Sequence, residues 1–305
     1  MNVLLIGFGS IGRRHYEVLS SFSQISEIHV VTKQNLTEMV TFSHLDKVND
    51  IESYDYYLIA SETNKHFEQL CWLNERVLDK KIFCEKPLFE KYQNIKNIQN
   101  KIFVGYVLRF HPLLQKLKSL IEGQKILSLT VTCGSYLPSW RTNIDYRESY
   151  SAKKEQGGGV LLDLSHELDY VNWIVGDMIE IKSFQTQISN LEIDSDDLVL
   201  MIAQTRRGGG VNLSIDYFSK IPHRMIRLNT NDFTIELDLI DNKMSQMFIS
   251  GKIEHYEYPN LERNYLFEQM HHEVLFCEDP QNVCDLSSGL KVMQVIKTIQ
   301  DENNE

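Results

Sequence analysis

Three short stretches of the sequence carry residue types that suit the oxidation of an alcohol. They are a G-x-G-x-x-G stretch from Gly7 to Gly12, the Glu85-Lys86-Pro87 tripeptide, and a glycine run that leads to His166. Alcohol oxidation releases a hydride and a proton, so it needs a base near the hydroxyl and a cation near the developing alkoxide. Histidine has a suitable pKa for the first task, and a buried lysine suits the second. The alternatives are that Lys86 only pairs with Glu85 and that His166 is a satisfied helix histidine.

The first glycine stretch has the pattern of a phosphate-binding loop. It follows a short apolar segment, Asn2–Ile6, that is predicted to be a strand, and it opens a segment with helical spacing. In such a loop Gly7 permits the tight turn, Gly9 lets the backbone approach a pyrophosphate, and Gly12 lets the helix pack on the strand. The stretch predicts a dinucleotide site; the alternative is a glycine-rich turn without a ligand.

The end of the second predicted strand bears on the type of cofactor. Thr32 and Lys33 stand about twenty residues after Gly12, where NAD sites usually place Asp or Glu against the ribose 2′-hydroxyl. A hydroxyl and a cation suit a 2′-phosphate instead, and Arg13 adds a second positive charge. The sequence therefore favours NADP over NAD, unless Thr32 and Lys33 are simply a solvated strand end.

The elements that position these residues change in character once along the chain. Strand and helix patterns alternate over residues 1–110, which predicts parallel βαβ units. After about residue 112, strands joined by short turn signals such as Asn231-Asp232 predict antiparallel hairpins. The predicted fold is α/β: an N-terminal Rossmann doubly wound parallel sheet over 1–110, then a C-terminal α/β domain over 111–305 with an open, mostly antiparallel sheet.

Composition and charge narrow the partners and the compartment. The 305 residues include 31 Lys and Arg against 42 Asp and Glu, a net charge of −11 that argues against a nucleic-acid partner. No window reaches about 18 uninterrupted apolar residues, so no membrane span is predicted. The five cysteines are scattered and form no Cys-x-x-Cys, and the adjacent His271 and His272 make a poor metal pair. We expect a cytoplasmic protein without a metal site.

Four segments together resemble the Gfo/Idh/MocA family of oxidoreductases. They are the glycine loop, Glu85-Lys86-Pro87, the Gly105–Pro112 junction, and the run from Gly157 to Asp169. The resemblance implies hydride transfer between nicotinamide and a carbon of a sugar, cyclitol or related polyol. It implies that Lys86 orients the substrate oxygen and the cofactor, often beside a cis Lys-Pro bond, and that His166 is the acid/base. Asp163 is the less certain member, since it stands one residue closer to His166 than is common in the family.

The segment before the second glycine run suggests the type of sugar. It contains Trp140, Arg141, Tyr146 and Arg147. Aromatic rings stack on sugar faces, and arginines form forked contacts with carboxylate or phosphate. The segment also resembles a family branch associated with bacterial surface-polysaccharide sugars, including sialic-acid-like ones. An anionic or nucleotide-linked sugar is expected, with Arg109 as a further contact; the alternative is a solvated interface loop.

The favoured function is an NAD(P)-dependent sugar oxidoreductase that forms a homodimer or homotetramer through its C-terminal sheet, as the resemblance implies. The alternatives are a non-catalytic NAD(P)-binding regulatory protein and a reductase of a non-sugar carbonyl substrate; the presence of both Lys86 and His166 favours an enzyme. The catalytic candidates are Lys86, His166 and Asp163. The expected cofactor contacts are Gly7, Phe8, Gly9, Ser10, Ile11, Gly12, Arg13, Thr32, Lys33, Ala60, Ser61, Glu85 and Lys86. The expected substrate contacts are Lys86, Arg109, Trp140, Arg141, Tyr146, Arg147, Asp163 and His166.

Overall fold

The computed structural model describes residues 1–141 and 144–303 and divides the chain into two compact units. The first unit is Met1–Phe110 with Glu262–Leu290, and the second is His111–Leu261 with Lys291–Glu305. The sequence predicts a continuous second domain over 111–305, whereas the structure places Glu262–Leu290 in the first unit. This segment packs apolar side chains, among them Phe267 and Met270, into the core of that unit.

The first unit is built on one seven-stranded sheet with the order β15-β6-β5-β4-β1-β2-β3. Its neighbouring strands are parallel, except that β15 runs antiparallel to β6. Its strands are β1 (Asn2–Ile6), β2 (Glu27–Val31), β3 (Thr41–Phe42), β4 (Tyr56–Ile59), β5 (Lys81–Cys84), β6 (Lys101–Val104) and β15 (Cys284–Asp285). Its helices are α1 (Ser10–Ser20), α2 (Thr63–Asn74) and α6 (Tyr265–Phe276).

The central strands of this sheet are buried on both faces. Every residue of β4 is buried, as are the last four of β1 and the last three of β5, which is why these segments read as continuous apolar runs rather than as alternating ones. The strand order reverses between β1 and β4. Ligands of doubly wound sheets bind at such a reversal, beyond the carboxyl ends of the strands.

The second unit carries an eight-stranded sheet with the order β14-β13-β12-β11-β7-β10-β9-β8. All neighbouring strands are antiparallel, except that β7 and β10 are parallel. The predicted fold class is thus confirmed. The strands are β7 (Ser128–Gly134), β8 (Met178–Thr186), β9 (Leu198–Thr205), β10 (Gly210–Asp216), β11 (His223–Asn229), β12 (Phe233–Asp238), β13 (Lys243–Phe248) and β14 (Ile253–Glu257). The helices are α3 (Pro112–Leu120), α4 (Val160–Asp163), α5 (Ser165–Val175) and, from Leu286 to Glu302, α7, whose first residues belong to the first unit.

The eight-stranded sheet buries one face and leaves apolar side chains on the other. Along β9 the buried residues Val199 and Met201 alternate with Leu200 and Ile202, which are 42% and 59% exposed. Phe184, which is opposite Leu200 on β8, is 49% exposed. Within the described residues, no helix has the length and apolar character needed to cross a membrane.

Candidate active site

The glycine loop between β1 and α1 has the shape of a phosphate cradle. Gly7 has a φ of +94°, and a Cβ added there would lie 2.6 Å from the carbonyl oxygen of Ala60, at the end of β4. A Cβ on Gly12 would lie 2.3 Å from the Gly7 carbonyl oxygen. A Cβ on Gly9 would meet nothing within 4 Å. The first and third glycines are therefore required by close backbone packing, whereas the second faces open space.

This loop fits the diphosphate of a dinucleotide. Helix α1 begins at Ser10, and no side chain caps its first N–H groups. The N–H groups of a helix N-terminus attract an anion. Gly9 is exposed, so its backbone is accessible to a ligand. The loop also lies beside Ala60 and Ser61, at the strand-order reversal between β1 and β4.

The side chains after β2 form a polar cluster with Arg13. The Arg13 guanidinium stacks 4.5 Å from the centroid of the Phe8 ring and donates a 2.5 Å hydrogen bond to Gln34 Oε1. Gln34 in turn donates from Nε2 to the Phe8 carbonyl and from its backbone N–H to Thr32 Oγ1. Lys33 is exposed. Sequence reasoning missed Gln34, since an amide carries no charge that would single it out.

Lys86 follows the carboxyl end of β5, and its peptide bond to Pro87 is cis, as the family resemblance implies. The side chain of Lys86 is half-buried. Its backbone N–H donates a 3.2 Å hydrogen bond to Glu85 Oε2. Glu85, an expected cofactor contact, is buried, and its other carboxylate oxygen contacts His15 Nε2 at 2.9 Å. Both carboxylate oxygens of Glu85 are therefore engaged inside the first unit.

His66 on α2 ties two loops of this site together. Its Nδ1 lies 3.1 Å from the carbonyl oxygen of Pro87, and its Nε2 lies 3.1 Å from that of Ser61. Burial lowers the pKa of His66, although the hydrogen bonds to the two carbonyls act in the opposite direction. The sequence offered no signal for this role, because the Pro87 carbonyl lies 21 positions from His66.

In the second unit, Asp163 and His166 lie on separate helices. Asp163 ends α4, Leu164 has a non-helical conformation, and His166 is the second residue of α5. The helical conformation is interrupted at Leu164, so Asp163 and His166 do not share the face of one helix. Asp163 precedes α5 and is held by its own contacts.

Two tyrosines surround the Asp163 carboxylate. The Tyr217 hydroxyl donates a 2.6 Å hydrogen bond to Asp163 Oδ2. Burial and the negative charge of Asp163 raise the pKa values of Tyr217 and Tyr150. Burial also raises the pKa of the Asp196 carboxyl, and Asp163 adds to this effect, while the Leu161 N–H opposes it. Sequence reasoning missed Tyr217 and Asp196 because they enter this cluster from distant parts of the chain.

The Trp- and Arg-containing segment contributes unequally to this cluster. The Trp140 ring packs edge-on against Tyr217 at 5.2 Å, and its indole N–H donates to Ser135. Arg141 is exposed and lies 5.2 Å over the Tyr150 ring. These two predicted substrate residues therefore lie beside the tyrosines that surround Asp163.

Arg147 and Tyr146 are engaged at the protein surface. Arg147 forms ion pairs with Asp145 at 2.5 Å and with Glu192 at 3.0 Å. The Tyr146 hydroxyl accepts a hydrogen bond from the Glu192 backbone N–H. Since two carboxylates already neutralise Arg147, Arg141 is the better placed of the two arginines for an anionic ligand.

Arg109, expected to contact the substrate, is buried in the first unit. It is 4% exposed, and its guanidinium donates to the Val283 carbonyl oxygen at 3.5 Å. The short helical turn that carries it packs against α6, which explains the burial. His111, in the second unit, caps α3 by accepting the Leu113 N–H, and its other ring nitrogen contacts Asn242. These contacts give Arg109 and His111 structural roles.

Comparisons with known proteins agree with this architecture. Residues 1–102 match the model of the GFO/IDH/MocA oxidoreductase family with an NAD-binding Rossmann fold, and residues 114–236 match the C-terminal domain of the same family. The chain is 24% identical to 2,7-anhydro-N-acetylneuraminate hydratase from Escherichia coli over 72% of its own length and 60% of that relative's. The alignment thus spans less than two thirds of the relative.

Solved structures share the fold at low sequence identity. Levoglucosan dehydrogenase in complex with NADH superposes with a TM-score of 0.84 at 16% identity, covering 100% of this chain and 97% of that one. UDP-N-acetylglucosamine 3-dehydrogenase from Acidithiobacillus ferrooxidans superposes with a TM-score of 0.79 at 17% identity, covering 99% and 97%. With a family model matched on each side of residue 110 and the glycine cradle and Glu-Lys-Pro loop in place, the chain belongs to the Gfo/Idh/MocA family of NAD-binding oxidoreductases.

Proposed function

We propose that this protein transfers a hydride between a nicotinamide cofactor and a hydroxyl-bearing carbon of a sugar or sugar derivative. The observation that carries the proposal is the placement of the glycine cradle and Lys86 on one sheet. The cradle follows β1 and packs against the end of β4, and Lys86 follows β5, the next parallel strand. A bound nicotinamide supplies or accepts the hydride. The protein must then bind the cofactor, orient the sugar hydroxyl and move its proton.

The protein's own side chains divide these tasks. Lys86 directs a cation at the substrate oxygen and offsets the charge that develops there. His166 takes the hydroxyl proton as a general base and returns it in the reverse direction. Asp163 with its tyrosine donors gives the second unit a fixed polar group for hydroxyls of the sugar. These roles for Lys86, His166 and Asp163 are proposals that kinetic measurements can test.

The proposed substrate is an anionic or nucleotide-linked sugar, with sialic-acid-like sugars as one class. Trp140 offers an aromatic face and Arg141 an exposed guanidinium beside the Asp163 cluster. The names of the relatives support the proposal, since they describe an anhydro-N-acetylneuraminate and a UDP-linked sugar as ligands of those proteins. The association with surface-polysaccharide biosynthesis is a proposal on the same basis.

We propose NADP as the preferred cofactor. No acidic residue occupies positions 32–35 after β2, so nothing there accepts a hydrogen bond from a ribose 2′-hydroxyl with a full negative charge. Arg13 is exposed above Phe8, and Lys33, the residue before the Gln34 that Arg13 contacts, is also exposed. Two cations at this strand end favour a 2′-phosphate.

The apolar face of the C-terminal sheet supports a homodimer or homotetramer. Its exposed side chains Phe184, Leu200 and Ile202, on the neighbouring strands β8 and β9, form an apolar surface of the type that a second subunit covers. The five cysteines are free thiols, which agrees with the proposed cytoplasmic location.

One relative suggests a variant of this chemistry. It is named a hydratase, and addition of water to a substrate causes no net oxidation or reduction. An enzyme of that kind would leave the nicotinamide absorbance unchanged, so the test must follow the hydride itself. The other alternative, a cofactor-binding regulator, predicts no transfer at all.

Fluorescence titration with NADPH and NADH, followed by incubation with acidic and nucleotide-linked sugars that are each also supplied in their oxidised keto form, tests the proposal. We expect tight binding of one reduced cofactor and transfer of deuterium from its labelled nicotinamide C4 to a sugar carbon. Matched measurements on Lys86→Ala serve as the control. Binding without transfer to any sugar, with the wild type and Lys86→Ala indistinguishable, would favour the regulatory alternative.

A further inference from the structure

Four buried polar side chains form a continuous chain beneath the Glu-Lys-Pro loop. The Tyr56 hydroxyl lies 3.1 Å from His271 Nδ1, and His271 Nε2 lies 2.7 Å from His15 Nδ1. His15 Nε2 then lies 2.9 Å from Glu85 Oε1. Tyr56, His271 and His15 are fully buried, and Glu85 is 6% exposed. We call these four residues, all of the first unit, the polar relay.

With the Glu85 carboxylate as the acceptor, one arrangement of protons satisfies every contact without a charged histidine. The Tyr56 hydroxyl donates a hydrogen bond to His271 Nδ1, so the ring proton of His271 is on Nε2. The His271 Nε2–H donates a hydrogen bond to His15 Nδ1, so the ring proton of His15 is on Nε2. The His15 Nε2–H then donates a hydrogen bond to the Glu85 carboxylate. A neutral imidazole has one donor and one acceptor nitrogen, and each is used once. The relay therefore runs in one direction, from the tyrosine to the carboxylate.

The surroundings of the relay favour a neutral His271. The His15 ring packs edge-on against Phe83 and Phe267 at 5.5 and 5.4 Å. Burial, with His15 as a second cause, lowers the pKa of His271 well below its usual value. An apolar shell of this kind disfavours an added charge on an imidazole.

Glu85 is the acidic end of the relay, and its negative charge affects the pKa values of groups on four neighbouring elements. The groups that respond to it are Arg14 on α1, Tyr56 on β4, His66 on α2 and Cys84 on β5. Glu85 raises the pKa values of all four, although burial is the larger cause of each shift and acts in the opposite direction at Arg14 and His66. Arg14 and His66 are thus the nearby groups whose positive charge Glu85 favours.

The relay leaves the Glu85 side chain little freedom. His15 holds one carboxylate oxygen, and the other accepts the Lys86 N–H. A Cβ on Gly105 would lie 2.5 Å from Glu85 Oε1, so the backbone after β6 closes the remaining side. His15 belongs to α1, the helix whose first turn forms the phosphate cradle. The relay thus connects the cradle helix to the backbone of Lys86.

We propose that the polar relay fixes the position of Lys86 relative to the glycine cradle, and that His271 and Tyr56 are positioning residues for the reaction. This inference rests on the proposed function, since it assigns Lys86 a place between cofactor and substrate. Loss of the His271 donor leaves His15 with two poor choices. Its Nδ1 stays unsatisfied, or it moves its proton to Nδ1 and withdraws the donor from Glu85.

Substitutions at His271 separate positioning from packing. His271→Phe keeps a ring but removes the donor, whereas His271→Gln places an amide N–H near the original Nε2. We expect His271→Phe to lower kcat by roughly 10- to 100-fold, the effect of a small displacement of a reacting group, with a smaller change in sugar KM. His271→Gln should recover most of the loss. His272→Phe, the same change one residue later on an exposed side chain of α6, is the matched control and should behave as the wild type.

A measurement without turnover keeps this proposal distinct from the proposed function. In protein with ¹⁵N-labelled histidine, NMR should show His15 and His271 each protonated at Nε2. Hydrogen exchange of the Lys86 amide should be faster in His271→Phe than in the wild type, His271→Gln and His272→Phe. If the wild type transfers no hydride, the histidine protonation and the exchange rate of the Lys86 amide still test the role of the polar relay. Protonation of either histidine at Nδ1, or equal Lys86 exchange and kcat in folded His271→Phe and the wild type, would overturn it.

Discussion

Substitution of Gly9, the second glycine of the cradle, should separate the effect on cofactor binding from the effect on protein stability. Gly9 has φ −75° and ψ −165°, which an alanine adopts readily, and an added Cβ meets no protein atom within 4 Å. The methyl group would instead occupy the space from which a pyrophosphate approaches the loop. Gly9→Ala should therefore leave the fold intact and weaken only the binding of the cofactor.

The expected sizes of the two effects differ widely. Alanine is a poorer N-cap than glycine, which costs about 1 kcal/mol or less and lowers Tm by no more than a few degrees. Loss of two charge-assisted hydrogen bonds to the diphosphate, at about 1.5–3 kcal/mol each, weakens cofactor binding by roughly 10²- to 10⁴-fold. Gly12→Ala is the contrasting variant. Its Cβ would lie 2.3 Å from the Gly7 carbonyl oxygen, so it should lower Tm as well as affinity.

Calorimetric melting and fluorescence titration with NADPH and NADH, carried out on both variants and the wild type, provide the assay. The predicted pattern is a Gly9→Ala protein with near-normal Tm and strongly weakened binding, beside a Gly12→Ala protein impaired in both. Wild-type cofactor affinity in Gly9→Ala would show that the loop does not bind the diphosphate.

Three further predictions concern the remaining site residues. Arg13→Ala should weaken NADPH binding by roughly 10- to 150-fold, the value of one charge-assisted contact, and leave NADH binding nearly unchanged in parallel fluorescence titrations; an equal loss for both would contradict the NADP assignment. His166→Ala should lower kcat by roughly 10²- to 10⁴-fold with little change in cofactor Kd, whereas Lys86→Ala should disturb both quantities; near-normal turnover of His166→Ala in steady-state kinetics would remove it as the base. Arg141→Ala should raise KM for a charged sugar by roughly 10- to 150-fold and spare a neutral analogue. Arg147→Ala, whose guanidinium is already paired, should change KM little, and the reverse order of effects would show that Arg147 binds the anion.

Features with a local cause could be predicted from the sequence. The glycine loop, the strand Lys81–Cys84 and the helix after the second glycine run depend on turn chemistry and short-range periodicity, and the structure has them close to the expected positions. Strand β14 was missed because it has no buried residue and therefore no apolar alternation. Strand β7 was missed because its partners β10 and β11 come far later in the chain.

The contacts that set side-chain roles could not be predicted, since they join distant parts of the chain. His15 and His271 are 256 positions apart, and Arg109 meets a carbonyl 174 positions away. No pattern in either segment reveals such a pair, so Arg109 was expected at the substrate and His271 was considered only as a poor metal ligand. The return of Glu262–Leu290 to the first unit has the same origin.

Transfer of a labelled hydride tests the central claim most directly. NADPH or NADH deuterated at the transferring position of C4 is incubated with the protein and with acidic and nucleotide-linked sugars, each also supplied in its oxidised keto form. Mass spectrometry then follows the label. We predict deuterium on a sugar carbon with the wild type, and strongly reduced transfer with Lys86→Ala and His166→Ala. Retention of all deuterium on the cofactor, with the wild type no different from the two variants, would contradict the assignment of this protein as a sugar oxidoreductase.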